Sequence, residues 1–468
     1  MSPRIRAYPH FDSPLSKANA ELLVATSQSI CTHKFFPFLE YKKRWTRFAA
    51  KGEKGASKER PIRYAARRDA YIFSHFREIL QNSYESKLNE LGLGDSVLAY
   101  RRIPTGMGKG NKCNIHFAKD AFERILQLGD CFAYALDISK YFESLDHLKI
   151  KELWAELLNV KKLPADHFQV YEAVTKFASI DHDKAMLALG YLVPQKGVNG
   201  HVRIVRSKRK IKQHLCVGSE FRSKVANLVT VNPQAFGIPQ GSPISDVIAN
   251  FYLIRFDKLL RGIADMAGGY YFRYSDDILL LMPSKGEDFK ARLQEIQAAM
   301  VAQGDQLKIQ DKKSSIYRFY GSHGSHKKPG TFELVFGDQG KNGLEYLGFR
   351  FNGKNAYLRD STIGGLNRKI VSSARRQAHI HIAKRPGMSL AQLRSCFDYK
   401  ALIERFGRIK RFELYSDVYS KWTFITYCKR STAVFGALGQ PIIRQMSRHK
   451  AFIRRKADEE LERIFNKP

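Results

Sequence analysis

Two apolar segments that end in carboxylates limit the folds open to this chain. Cys131 to Ile138 is a compact apolar run that meets its only charge at Asp137. A short run of this kind reads as a buried strand. Tyr270 to Arg273 and Ile278 to Leu281 flank Tyr274-Ser-Asp-Asp277, which reads as a tight β-hairpin. Between them, Gly237-Ile-Pro-Gln-Gly-Ser-Pro-Ile-Ser245 leads into a helix predicted over 242–262. Ser242 suits its N-cap and Pro243 its first helical position. A Tyr-x-Asp-Asp tetrapeptide alone arises by chance in roughly one chain of this length in twenty-five. The ordered set of three is far rarer. It calls for a fold that converges acids from a strand end and a hairpin tip.

The 468 residues suffice for two to four structural units with sizeable cores. With 44% hydrophobic residues the chain is expected to fold. Lys and Arg number 79 against 45 Asp and Glu, a formal charge of +34 that points to a polyanionic partner. No apolar run approaches the ~20 residues of a membrane-crossing helix. Met1-Ser-Pro-Arg-Ile-Arg6 lacks the apolar stretch of a signal peptide, so no membrane partner and a cytoplasmic location are expected. The six cysteines form no Cys-x-x-Cys pair, which argues against zinc and for reduced thiols.

Along the chain, residues 1–45 read as a helical, aromatic-rich lead-in. Residues 51–63 read as a Gly- and charge-rich hairpin tip with Lys54, Lys58, Arg60 and Arg63. Helical spacing covers 69–91, 116–128, 147–178 and 287–303. Residues 181–230 read as irregular, with a basic stretch Arg206-Ser-Lys-Arg-Lys-Ile-Lys212 suited to phosphate contact. Phe332 to Phe336 and Leu344 to Phe351 read as strands. From 361 the pattern is helical, with 23 Lys and Arg against 8 Asp and Glu. Such a surface suits a nucleic-acid backbone, where each neutralised phosphate releases counterions. Tyr415, Tyr419, Trp422, Phe424 and Tyr427 lie among these basic residues, as core or as stacking platforms.

Converging carboxylates suit the hard cation Mg²⁺. Two such ions, a few Å apart, can activate an attacking hydroxyl and stabilise a leaving oxygen in nucleotidyl transfer. Asp137 and Asp276 are the candidate ligands, with the neighbouring Ile138 carbonyl. Asp277 either binds metal or shapes the turn.

These residues resemble the reverse transcriptase family. Asp137 followed five residues later by Phe142 matches its first motif, and Gly237–Ser245 and Tyr274–Asp277 match its second and third. Leu307-Lys-Ile-Gln-Asp-Lys-Lys313-Ser approximates a fourth, and Leu347-Gly-Phe349 a fifth. The resemblance covers roughly 50–355. It implies an α+β right-hand polymerase: an N-terminal helical extension (1–49), fingers (50–130), a palm (131–352) with a helical, basic insertion at about 151–235, and an α-helical thumb (353–468). It implies catalysis by Asp137, Asp276 and Asp277 with two Mg²⁺ ions held by these and Ile138, Mn²⁺ being a possible substitute. Phe142 is implied as the gate against a ribose 2′-hydroxyl and Gln240 as a neighbour of the incoming nucleotide. Arg60 and Arg63 are implied on the triphosphate and Lys313 near the leaving group. The implied partners are dNTPs, an RNA template and an RNA–DNA hybrid.

Glu143-Ser-Leu-Asp146-His147 is similar to the group II intron, retron and related bacterial branch. Ala99-Tyr-Arg-Arg102 and Lys112-Cys-Asn-Ile-His-Phe-Ala118 are similar to defence-associated enzymes of the abortive-infection and unknown-group kind. That similarity implies antiphage defence with a partner non-coding RNA as template or scaffold. Two alternatives stay open: a maturase-like RNA-binding protein with secondary polymerase activity, and template-independent or protein-primed DNA synthesis.

Overall fold

The computed structural model describes residues 5–46, 57–106, 110–196, 202–211, 213–321, 330–338, 340–407 and 423–466. Lys54, Lys212, Tyr415, Tyr419 and Trp422 lie outside these, as does the side chain of Lys58. The N-terminal third holds α1 (Lys17–Leu23), α2 (Ser27–Cys31), β1 (Phe38–Thr46), β2 (Ser57–Tyr64), α3 (Arg67–Glu90), α4 (Asn114–Leu128) and β3 (Cys131–Asp137). Then come α5 (His147–Leu157), α6 (Ala165–Thr175), β4 (Ala178–Asp181), α7 (His182–Ala188), β5 (Leu192–Lys196), β6 (Val202–Arg206), α8 (Gly218–Lys224) and β7 (Thr230–Val231). The middle continues with α9 (Ser245–Tyr252), α10 (Ile254–Met266), β8 (Tyr270–Tyr274), β9 (Asp277–Pro283), α11 (Phe289–Val301), β10 (Ser315–Tyr320) and β11 (Thr331–Phe336). Three short strands, β12 (Leu344–Tyr346), β13 (Phe349–Phe351) and β14 (Ala356–Leu358), precede the helical C-terminal part. That part holds α12 (Asp360–Ala383), α13 (Leu390–Ser395), α14 (Tyr399–Gly407), α15 (Phe424–Phe435), α16 (Gln440–Arg444) and α17 (His449–Phe465).

The central sheet is antiparallel, in the order β11-β10-β3-β9-β8. Successive strand residues face opposite sides, and here both sides are covered. Phe132, Tyr134 and Leu136 of β3 and Ile278, Leu280 and Met282 of β9 enter one core, shared with α3, α9, α10 and α11. Cys131 and Ala133, with Leu279 and Leu281, enter a second core under α4, β12–β14 and the C-terminal helices. Burial on both faces is why β3 and β9 read as unbroken apolar runs. Within the second core, Leu366, Ile370, Ala374 and Ala378 of α12 are buried, as are Ile453, Ala457 and Leu461 of α17. Helical spacing on both helices supplies these stripes.

A second sheet runs in the order β2-β1-β4-β7, with β4 parallel to β1. Here the structure departs from the expectations. The end of the lead-in is strand β1. The span 151–235, read as helical and basic, adds β4 and β7 to the sheet of β1 and β2 and forms a separate ribbon, β5–β6. Strands this short carry little local pattern, and distant partners decide their pairing. The helix predicted over 242–262 is two helices. α9 starts at Ser245, after a turn in which Ser245 Oγ donates to the Pro239 carbonyl at 2.8 Å. The chain breaks again at Leu253, and α10 then packs on β8. Among the described residues no helix is long and apolar enough to cross a membrane, and the six cysteines are free thiols.

Candidate active site

β3 ends at Asp137, β9 begins at Asp277, and the antiparallel register sets these two residues directly opposite. Tyr274 pairs with Asp277, which leaves Ser275 and Asp276 as a two-residue tip. Such tips require positive φ, and Ser275 has φ 60. Ile138 N–H donates to the Asp276 carbonyl at 3.1 Å, and Gln310 N–H donates to the Asp137 carbonyl at 2.8 Å. Backbone bonds thus tie together the strand end, the hairpin tip and the turn before Lys313. Lys313 Nζ in turn donates to Asp137 Oδ1.

Carboxylates held this close to one another resist ionisation, and Asp276 and Asp277 both titrate above the ordinary carboxylate range. Crowding by the surrounding protein, and then the charges of Asp276 and Asp137, push Asp277 up to about 7, although the side chain keeps an open path to solvent. Asp276 is raised by burial and by Asp137, against the opposing pull of its own backbone, Arg60 and Lys313. Among the described residues no three His, Cys, Asp or Glu side chains close into a preformed metal cage. The donor chemistry nevertheless fits a hard divalent cation: oxygen donors only, mutually repelling, with Lys313 as the cation now paired to Asp137. Asp137, Asp277, Lys313 and Arg359 line a small cavity of about 170 Å³ beside Leu347 and Gly348.

The Gly237–Gly241 segment lies against two neighbours at once. Gly237 has φ +89, and a Cβ there would stand 3.1 Å from the Glu143 carbonyl oxygen. Gly241 has φ +111, and its Cβ would stand 2.8 Å from the Arg63 carbonyl oxygen. Only glycine accepts both the conformation and the approach. Arg63 N–H donates to the Gln240 carbonyl at 2.8 Å, and Ile238 N–H to the Phe142 carbonyl at 2.8 Å. Phe142 and Gln240 consequently line one cavity of about 920 Å³, with Tyr100, Arg77, Arg102 and Asp246.

The two arginines of β2 part company. Arg60 is exposed on β2, and its charge acts on Asp276. Arg63 pairs with Glu40 across the β1–β2 ladder at 2.8 Å and lies over the Phe177 ring. It lines a different cavity, of about 380 Å³, with Lys140, Glu143 and Lys308. Phe142 and Gln240 therefore share a cavity that Arg63 does not line.

Sequence reasoning missed the residues beneath the hairpin. Arg273 and Asp257 form a fully buried ion pair at 2.6 Å, and Tyr100 OH donates to Ser275 Oγ at 3.3 Å. The available signal was a lone arginine in the otherwise apolar strand Tyr270-Tyr-Phe-Arg-Tyr274, a residue type almost never buried without a partner.

Residues 201–351 match the family "Reverse transcriptase (RNA-dependent DNA polymerase)". The matched span includes the hairpin acids but begins after Asp137, which the sheet register brings to them. No curated protein sequence matches the chain. Among solved structures, similarity is found to apo telomerase from Candida tropicalis truncated from its C-terminal domain, at 12% identity and TM-score 0.39, over 68% of this chain and 55% of that one. Apo telomerase from Candida tropicalis is similar at 11% identity and TM-score 0.39, over 90% and 65%. Telomerase from Candida albicans in complex with a TWJ fragment of telomeric RNA is similar at 9% identity and TM-score 0.40, over 97% and 68%. The chain thus spans 55% and 65% of the length of the first two. With the family match, an acid-bearing antiparallel sheet between a hairpin sheet and a helical C-terminal part is the α+β right-hand polymerase fold. The chain carries a reverse transcriptase domain.

Proposed function

We propose that this protein is an RNA-directed DNA polymerase that extends a primer along an RNA template by two-metal nucleotidyl transfer. The observation that carries the reading is the pairing of Asp137 with Asp277 on adjacent strands, beside Asp276, inside a sheet joined to a reverse transcriptase match. Asp137, Asp276 and Asp277, with the Ile138 carbonyl, are the proposed metal holders. Two Mg²⁺ ions bound there, or Mn²⁺ in their place, supply the charge that activates a 3′-hydroxyl and stabilises the leaving oxygen. Phe142 crowds the sugar 2′ position and so favours dNTPs. Gln240 lies beside the nucleotide, Arg60 serves the triphosphate, Arg63 joins it only on leaving Glu40, and Lys313 serves the leaving pyrophosphate once it leaves Asp137. Residues 50–130 act as fingers, 131–352 as palm with an insertion at about 151–235, and 353–468 as a basic thumb along an RNA–DNA hybrid.

The proposal extends to bacterial antiphage defence with a partner non-coding RNA in the cytoplasm, and what supports it is the similarity of Ala99–Arg102 and Lys112–Ala118 to defence-associated enzymes. The maturase-like alternative draws support from the charge of +34. Against it stands the retained set of mutually destabilising carboxylates, which RNA binding alone does not need. The test is to express the protein with its native flanking DNA, purify it, and sequence the RNA and DNA that accompany it. The control is Asp276→Ala with Asp277→Ala. DNA complementary to one bound RNA, present only with the wild type, supports templated synthesis. Bound RNA without carboxylate-dependent DNA supports the maturase-like reading. DNA with no template complement supports template-independent or protein-primed synthesis.

A further inference from the structure

A full positive charge and a full negative charge lie beneath the acid-bearing hairpin with no exposure to solvent. Arg273, on β8, donates from Nε to Asp257 Oδ1 and from Nη2 to Asp257 Oδ2, both at 2.6 Å. Tyr271 OH donates to the same Asp257 Oδ1 at 2.7 Å. The pair is satisfied by these bonds, yet the guanidinium has donors to spare. Nη2 reaches the Asn250 carbonyl at 3.0 Å, and Nη1 reaches the Ser275 carbonyl at 3.2 Å. Asn250 Nδ2 donates to the Ala99 carbonyl at 2.8 Å, which anchors the segment leading to Tyr100. The Arg273 backbone bonds the same segment, accepting from Leu98 N–H at 2.9 Å and donating to the Ser96 carbonyl at 2.8 Å.

Ser275 is thereby held from two sides. Its carbonyl accepts from Arg273, and its hydroxyl accepts from Tyr100 at 3.3 Å. It is also the one non-glycine residue of this hairpin with φ in the left-handed region, a conformation that persists where its surroundings over-determine it. A buried ion pair is a poor source of stability, since apolar residues of similar volume often serve as well or better. Its location under the residue that precedes Asp276 points to geometry instead.

We propose that Arg273, held by Asp257 and assisted by Tyr100, is a positioning residue that keeps Ser275 left-handed and so fixes the Asp276 carboxylate against Asp137, setting the divalent-cation affinity of the site. This rests on the metal-dependent reading above. Arg273 touches neither substrate nor metal. A planar fork is needed, because lysine offers charge to Asp257 without simultaneous reach to two carbonyls.

The test uses the full chain, with Mn²⁺ binding followed by electron paramagnetic resonance and Mg²⁺ titrations of primer extension. Arg273→Lys and Tyr100→Phe are compared with Arg273→Met paired with Asp257→Leu. Arg273→Lys is expected to weaken Mn²⁺ binding about tenfold and to raise the Mg²⁺ needed for half-maximal extension by a similar factor. The apolar double variant is expected to melt close to the wild type and to show the same metal defect. Tyr100→Phe, which removes one hydroxyl, is expected to shift both readouts in the same direction by about threefold. A merely structural role predicts altered melting with unchanged Mn²⁺ binding, and that result overturns the inference. So does failure of the wild type to bind Mn²⁺. If the wild type binds Mn²⁺, the variants weaken it and no DNA is made by any of them, the polymerase reading fails and the positioning role stands.

Discussion

Two of the β-hairpins are of opposite character. The β8–β9 hairpin carries acids and is buried in the middle of the molecule. Its strands have cores on both faces, its tip is bonded by Arg273 and Tyr100, and its register to β3 fixes Asp137 opposite Asp277. The β5–β6 ribbon carries bases and pairs with no third strand among the described residues. Val202 and Ile204 are 57% and 53% exposed, and Lys196, Arg203, Arg206, Lys208 and Lys210 are all exposed. Between 192 and 210 there is no acidic residue. Under the proposed function, chemistry on a phosphorus atom needs oxygens placed to a fraction of an ångström, which the packed hairpin would supply. Holding a phosphate backbone needs only charge at roughly the right spacing, which the exposed ribbon would supply.

The largest contrast lies in activity. Asp276→Ala is expected to lower primer extension by about a thousandfold or more, because several kcal/mol of transition-state stabilisation depend on the metal site. RNA retention should change little. Wild-type extension rates in Asp276→Ala would remove the hairpin from the chemistry and with it the comparison.

Stability should separate the two hairpins next. Arg273→Met alone strands Asp257 as a buried, unpaired charge, and a loss of about 3–5 kcal/mol is expected in denaturant unfolding. Arg206→Met on the exposed ribbon should stay within about 0.5 kcal/mol. Equal losses at the two sites would mean that the ribbon is as strongly built in as the acid hairpin.

Sugar selection and proton linkage sharpen the picture of the acid side. Phe142→Ala opens the wall of the cavity it shares with Gln240. Ribonucleotide incorporation is expected to rise about tenfold or more relative to deoxynucleotides, measured by competitive single-nucleotide addition. Asp277, raised to about 7 from the ordinary carboxylate range, gives a signed pH dependence. A carboxyl whose folded pKa is raised favours the folded state most below its unfolded pKa, and that contribution is lost as pH climbs through about 7. The metal-free protein should therefore lose stability between about pH 4 and pH 7, and added Mn²⁺ should restore it. Mn²⁺ must displace that proton below pH 7, so its apparent affinity should rise about tenfold between pH 6 and pH 8.

How much of this was legible in the sequence follows the same division. β3 and the β8–β9 hairpin were readable because doubly buried strands are apolar without interruption and the turn has a short, specific pattern. The glycines at 237 and 241 were legible only as part of a motif, and the approaches of the Glu143 and Arg63 backbones that require them appear only in the fold. The parallel pairing of β4 with β1 was not, since nothing near Ala178 to Asp181 encodes a partner as distant as Phe38 to Glu40. The β5–β6 ribbon was read as irregular because exposed strands need not alternate polar with apolar. Arg60 and Arg63 were read together, yet residues three apart on strand β2 face opposite sides, and Glu40 opposite Arg63 was invisible without the register. The Arg273–Asp257 pair joins a strand to a helix, and only tertiary packing reveals that both charges are buried.

The smallest expected effect is on the basic ribbon itself. Arg203→Glu with Arg206→Glu removes two exposed cations that pair with no acid in the described residues. Binding to a structured RNA should weaken by about three- to tenfold at low salt, and the slope of log affinity against log salt should fall by about two. Extension of a short unstructured primer–template should be unchanged, because the ribbon belongs to neither the sheet of the acids nor the sheet of β1 and β2. A loss confined to that short substrate would tie the ribbon to the cleft and erase the division of labour. A loss that persists undiminished at high salt would show recognition by Val202 and Ile204 rather than by charge, making the ribbon as specific in its way as the hairpin that carries the acids.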